Sequence, residues 1–252
     1  MMPGPAQKVA AKKVAAKSNV IYAEEQLAYL RKDPKNACLA YGFVCRGDLL
    51  LNSLMGQQCR LRCYKDLGGV YRIEVEEGAG DWYIPYRHGK AFYCDVPKGQ
   101  PDGTMVVTFP MNGCALEVVG QHNANRFFHD ADGTSMPAGD RVSKLRIDYD
   151  EYAGKDREAE NYVTRNSLVK NKNIRQLEPD LQVEVPISGY DNLGSNFEHT
   201  LICIKRGTLW TVYQTVVAAT TLWRKGDEND SGKIEYAHIK QRVPIVIGIF
   251  QD

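Results

Sequence analysis

The sequence has no apolar run approaching the roughly 20 residues that cross a bilayer as a helix. Its longest candidate, Val243 to Phe250, is interrupted by Pro244 and Gly248, so membrane insertion is not expected. Net charge is also almost absent. Lys and Arg total 32 against 31 Asp and Glu, a formal charge of +1. Such a balance removes any whole-protein attraction to nucleic acid or anionic lipid, and no nucleic-acid partner is expected. Lys8 to Lys17 (KVAAKKVAAK) is basic and alanine-rich but has no apolar core, so a conventional signal peptide is not expected. The seven cysteines (38, 45, 59, 63, 94, 114 and 203) show no tight disulfide framework. An odd count leaves at least one thiol if the others pair, and reduced thiols in a cytosolic setting are the expectation. Cys38, Cys45, Cys59 and Cys63 fit no common zinc-ribbon spacing, and no carboxylates form a metal or glycosidase pair. No metal or organic cofactor is expected.

What is present is ordinary for a globular chain of 252 residues: 43% hydrophobic, 25% charged, with 14 Tyr. The length suits one sizeable core, and the abundance of Tyr, Val and Ile favours strands. Residues 1–18, with Pro3-Gly4-Pro5 and a repeated KVAAK unit, read as a flexible basic tail, and residues 19–252 as one domain with an N-terminal helical extension. Ala23 to Arg31 runs from acidic to basic as a helix does, and Leu49 to Cys63 is a second helix candidate. From Val70 the period becomes two. Tyr71, Ile73 and Val75 alternate with charged residues. Further strands are expected at Trp82–Pro85, Thr104–Phe109, Leu116–Val119, Arg126–Phe128 and Val142–Tyr149. Asp156–Lys172 reads as a surface helix or long loop, Asp191–Asn196 as a turn, and Gly226–Gly232 as a solvated loop. Thr200–Ile204 and Leu209–Val216 read as a hairpin around Arg206-Gly207. Val243–Phe250, apolar throughout, is expected to be a central strand. The fold class is α/β: a strand-rich, mixed β-sandwich flanked by helices.

One constellation has chemical content. Met111-Asn112-Gly113-Cys114 closes a strand in a tight turn, where Gly113 permits a sharp bend just before a thiol. Such a turn can expose a nucleophile and aim backbone N–H groups at an oxyanion. Asn112 and Gly113 are therefore candidate turn residues. His129 follows Cys114 by fifteen positions, after Arg126-Phe127-Phe128. Two short strands joined by a loop would return it beside the thiol, as a base for the thiol proton. By spacing alone, a cysteine at the start of a strand is more often a small packing residue than a nucleophile. His122 is a rival base within a loop, His88 lies in a turn beside Arg87 and Lys90, and His199 and His238 belong to no pattern.

The segment Trp82 to Asp130 resembles the catalytic region of the bacterial glutamine deamidase toxins, among them cytotoxic necrotizing factor and the Burkholderia lethal factor. Met111-Asn112-Gly113-Cys114 stands where those proteins carry Leu-Ser-Gly-Cys. The interval from Cys114 to His129 is that of cytotoxic necrotizing factor. Phe128 stands where the lethal factor has an aromatic before its His. Tyr83 to Lys90 and Asp191-Asn192-Leu193-Gly194 resemble two further stretches of the lethal factor, and Thr108, six positions before Cys114, occupies the place of its third catalytic residue. The resemblance implies hydrolysis of a glutamine side-chain amide in a host protein. Cys114 would be the nucleophile and His129 the base, with Thr108 orienting it by hydroxyl or main-chain carbonyl. It also implies a bacterial toxin or effector, secreted or injected and acting in the host cytosol, on a Rho-type GTPase or a translation-initiation helicase. A cysteine protease, a transglutaminase and a non-enzymatic protein-binding domain remain the alternatives.

Overall fold

The computed structural model describes residues 22–46, 56–66, 69–111, 113–131, 143–153, 190–224, 233–239 and 245–252. The basic tail, the loop at 226–232 and the polar stretch 156–172 lie outside these residues.

Two short helices open the described chain, α1 (Glu24–Lys32) and α2 (Pro34–Ala40). The first has Glu24 and Glu25 in its first turn and Arg31 and Lys32 in its last, matching the helix dipole. Asp33 caps the second through the Asn36 N–H, with Pro34 at the first helical position. This Asp-Pro start signal identifies a helix that the apolar periodicity of so short a segment conceals. Strands β1 (Gly42–Arg46), β2 (Gln57–Lys65), β3 (Val70–Ile84), β5 (Met105–Thr108), β9 (Tyr190–Arg206), β10 (Leu209–Arg224), β11 (Lys233–Ile239) and β12 (Val246–Gln251) form an eight-stranded mixed sheet. Strands β4 (Ala91–Pro97), β6 (Ala115–Gly120), β7 (Ala124–Asp130) and β8 (Ser143–Ile147) form a four-stranded antiparallel sheet in the order β4-β7-β6-β8. A short helix, α3 (Tyr149–Ala153), follows β8.

Alternation along the strands of the larger sheet sorts the core into two layers. Tyr71, Ile73, Met105, Val107, Ile202 and Ile204 pack on one face with Leu27 and Leu30 of α1 and Ala37 and Cys38 of α2. Their sequence neighbours Trp82, Ile84, Val106, Leu201, Cys203, Trp210 and Val212 point the other way, against Cys94, Leu116, Val118 and Phe127 of the smaller sheet. The result is helices on sheet on sheet, the α/β mixed sandwich expected of the pattern. Phe127, Trp210 and Phe250 form its aromatic centre, with ring centroids 5.3 to 6.4 Å apart.

Three expectations are corrected. Residues 57–63, within the second helix candidate, are strand β2, with Cys59, Leu61 and Cys63 buried and Arg60 exposed between them. That period of two in burial decides the matter, and pairing along β3 supplies the backbone partners. Asp191–Asn196 is not a turn but part of β9. It pairs with β10 across a register shift at Thr221/Leu222, facing Asn192 and Gly194. The bulge absorbs the turn-forming residues within a long hairpin. Finally, β12 is not central. Among the described residues it pairs only with β10, and Ile249 is exposed. Its apolar character instead serves a face covered by β8, since a methyl group at Gly248 would lie 2.8 Å from a Leu145 methyl. The hairpin β9–β10 turns at Gly207 (φ 54°) as read from the sequence.

Candidate functional site

Strands β6 and β7 are joined by a short loop, and their antiparallel register sets Leu116 opposite His129. Cys114 precedes Leu116 by two residues. Cys114, Leu116 and Ala131 all belong to the inter-sheet core, so the thiol shares the face on which His129 projects. The two side chains are diagonal neighbours, at a Cα separation of about 7–8 Å for such positions. Among the described residues no hydrogen bond joins them, since the His129 Nε2 has no partner. Immediately before Cys114, Gly113 has φ 86°, a backbone conformation that side-chain-bearing residues rarely adopt. Nothing lies within 4 Å of where its Cβ would be. Backbone conformation, not crowding, is therefore what calls for glycine there. Asn112 lies outside the described residues.

Thr108, at the end of β5, faces the smaller sheet like Val106. Its hydroxyl lies 2.6 Å from His129 Nδ1 and 3.0 Å from the Ile84 carbonyl oxygen. A hydroxyl carries one proton. Donated to Ile84, it leaves the Thr108 oxygen to accept from Nδ1–H, which places the imidazole in the tautomer with a bare Nε2. That Nε2 is buried and has no hydrogen-bond partner among the described residues. Burial lowers the His129 pKa from 6.5 to about 3, so the ring is neutral near pH 7. Tyr86 packs on it with ring centroids 4.8 Å apart. The Thr108 hydroxyl, rather than its main-chain carbonyl, is thus the group presented to His129.

A second polar cluster meets the Cys114 turn from α3. The Tyr152 hydroxyl donates to the Cys114 carbonyl at 2.8 Å. Burial, then the nearby Cys114, push the Tyr152 pKa up, and backbone hydrogen bonding at Cys114 and Gly113 opposes the rise. The Tyr152 carbonyl accepts from Gln214 Nε2 at 2.5 Å, and the same amide nitrogen lies 3.2 Å from His199 Nδ1. His199 is buried, with its pKa lowered to about 4 by that burial. Its backbone bridges to Met111 in both directions, at 2.6 and 3.3 Å.

The structure therefore brings Thr108 to His129, and sets Cys114 on the same face with Gly113 in the turn. His122 is exposed in the β6–β7 loop, at the other end of those strands from His129, and His88 is exposed in the turn that follows Tyr86. His199, Gln214 and Tyr152 were missed. His199 and Gln214 sit among apolar strand residues and differ from them only in being polar at an inward position, a signal readable only once the inward face is known. Cys114 is 5% exposed and His129 is fully buried. The other six thiols are buried too, and burial pushes those of Cys38, Cys45 and Cys63 up to about 12. Among the described residues, no group of three His, Cys, Asp or Glu side chains could hold a metal ion. None of their helices is long and apolar enough to cross a membrane. Comparison of the sequence with protein-family models and with curated proteins finds no match.

Proposed function

We propose that this protein is a Cys-His hydrolase that deamidates a glutamine side chain of a protein substrate, as the resemblance to the bacterial deamidase toxins implies. The observation that carries the reading is the Thr108–His129 contact at 2.6 Å, which directs a bare Nε2 into the layer that holds Cys114. In the reaction, the Cys114 thiol proton passes to Nε2 as sulfur attacks the carboxamide carbon, forming the C–S bond. In this reading a backbone N–H of the turn donates to the developing oxyanion. The C–N bond then breaks, and ammonia leaves with the proton from His129. Water, deprotonated by the same Nε2, attacks the thioester. It releases glutamate and restores the thiol. Because burial opposes an imidazolium, the proton transfer accompanies attack instead of preceding it. The substrate in this reading is a host protein, a Rho-type GTPase or a translation-initiation helicase, and the protein itself a bacterial effector acting in the host cytosol.

The test is peptide mass spectrometry of a host-cell lysate treated with wild type or Cys114→Ser. A gain of about one dalton at a single glutamine, seen only with wild type, is the expected result. Cys114-dependent cleavage would replace deamidation by proteolysis, and amine incorporation would replace it by transglutamination. The low exposure of Cys114 favours a second reading, a strand-rich protein-binding domain in which this thiol is packing. That reading predicts no Cys114-dependent change in any peptide.

A further inference from the structure

The turn that carries Cys114 is held at both ends by one ring of buried polar contacts. At its start, the Met111 backbone exchanges hydrogen bonds with the His199 backbone. At its end, the Cys114 carbonyl accepts from the Tyr152 hydroxyl. Gln214 joins these two grips. Its side-chain nitrogen donates one proton to the Tyr152 carbonyl, and its other proton points toward His199 Nδ1. The Tyr152 and His199 rings pack on each other, with centroids 5.2 Å apart. Met111, His199, Gln214, Tyr152 and Cys114 thus close a circuit around Gly113, the residue with the positive φ.

The circuit joins three separate parts of the chain. His199 and Gln214 project from β9 and β10 on the face that also bears Leu201, Val212 and Thr108, toward the smaller sheet. Tyr152 comes from α3, which has five residues. A glycine-centred turn left to itself samples several backbone conformations. A hydroxyl, an amide and an imidazole in a buried layer make a poor packing set unless each finds a partner. Here each does, and the partners lead to the backbone of the same turn. Accepting at Nδ1 also puts the His199 proton on Nε2, the opposite tautomer from His129.

We propose that Tyr152 and Gln214 are positioning residues that hold the Cys114 backbone in the turn that sets its thiol on the face shared with His129. They touch no reacting atom; they act through the turn. The proposal rests on the reading of Cys114 as a nucleophile paired with His129.

The experiment is the pH profile of Cys114 alkylation by iodoacetamide on the folded full chain, read by mass spectrometry of the Cys114 peptide. Wild type, Tyr152→Phe and Gln214→Met are compared with Ile204→Val, a core change on the far face of the larger sheet. The expected result is a wild-type profile displaced from that of an ordinary thiol. Tyr152→Phe should react roughly tenfold to a hundredfold more slowly at pH 7, the scale of an ångström-sized misplacement, with its profile moved to the ordinary thiol range. Gln214→Met should move in the same direction, and Ile204→Val should leave the profile in place. A displaced wild-type profile that both ring variants share unchanged would overturn the positioning role alone. Faster alkylation in Tyr152→Phe with an unmoved profile would overturn it as well, since the tyrosine would then be a cover. An ordinary profile in wild type itself would overturn this proposal together with the nucleophile reading.

Discussion

Replacing Thr108 separates the hydrogen bond to His129 from the packing around it. Thr108→Val keeps the branched shape and removes only the hydroxyl. The buried His129 Nδ1–H then loses its acceptor at 2.6 Å, and the Ile84 carbonyl loses a donor at 3.0 Å. Leaving a buried polar group unsatisfied costs about 1–3 kcal/mol, and for a chain of this size each kcal/mol moves the melting temperature by about 2–4 °C. With no acceptor at Nδ1, the imidazole is free to carry its proton on Nε2, the wrong nitrogen for taking one from a thiol. Thr108→Ser makes the opposite change. It keeps the hydroxyl and deletes one buried methyl, a loss of about 1 kcal/mol. Scanning calorimetry and Cys114 alkylation at pH 7 read the two effects separately. The expectation is a Val variant that is folded, less stable and slow to alkylate, and a Ser variant that alkylates like wild type. If the Val variant kept wild-type reactivity while the Ser variant lost it, packing and not the hydrogen bond would govern His129.

Four further outcomes follow from the structure. Both inward histidines have pKa values lowered by burial, His129 to about 3 and His199 to about 4, from 6.5. The unfolded chain therefore binds more protons than the folded one below pH 6.5, so stability is full above that value and falls as pH drops toward 4. Urea denaturation at pH 7, 5.5 and 4.5 should show the decline, and His129→Gln should flatten it. By the same shift, the acid limb of Cys114-dependent turnover should lie below the usual histidine range, with no break near pH 6.5. The Asp252 carboxylate accepts from Trp210 Nε1, the Gly99 N–H and Asn125 Nδ2, with Lys205 at 3.2 Å. Burial alone would raise its pKa, but the hydrogen bonds from Trp210 and Gly99 and the Lys205 charge outweigh it and hold the carboxyl below its ordinary value. That contribution is present above the unfolded pKa near 3.9 and is lost as pH falls through the depressed folded value. Asp252→Ala should lower stability at pH 7 by about 1–3 kcal/mol and by much less near pH 2. Gly56→Ala should destabilise by at least about 1–3 kcal/mol, because its Cβ would lie 2.2 Å from Cys94 Cβ and 2.3 Å from the Tyr83 carbonyl oxygen. Calorimetry on that variant checks the close approach, and a neutral result would refute it.

Local patterns determined much of this protein. The alternation Tyr71-Ile73-Val75 and the runs at Thr104–Phe109 and Leu116–Val119 announce strands, because a period of two puts one set of side chains on a buried face whichever partner covers it. Arg206-Gly207 announces its hairpin because the chain reverses at a positive φ. Gly113-Cys114 and the fifteen-residue interval to His129 are likewise local. A thiol after a glycine turn and a histidine on the next strand return to one face by simple register. Other features were decided only by tertiary structure. Residues 57–63 become a strand because β3 offers them a pairing edge, and Asp191–Asn196 stays extended because β10 runs alongside it. Whether an apolar strand such as β12 is central or at an edge depends on which neighbours it acquires, and a strand's own residues do not specify both of its neighbours. The polar surroundings of Cys114 belong to the same class. Thr108 is named in the sequence only through the resemblance, and its contact with His129 appears only once the sheets stack. Tyr152, His199 and Gln214 come from α3, β9 and β10, and their hydrogen bonds join residues distant in sequence, so no local period or spacing could record them.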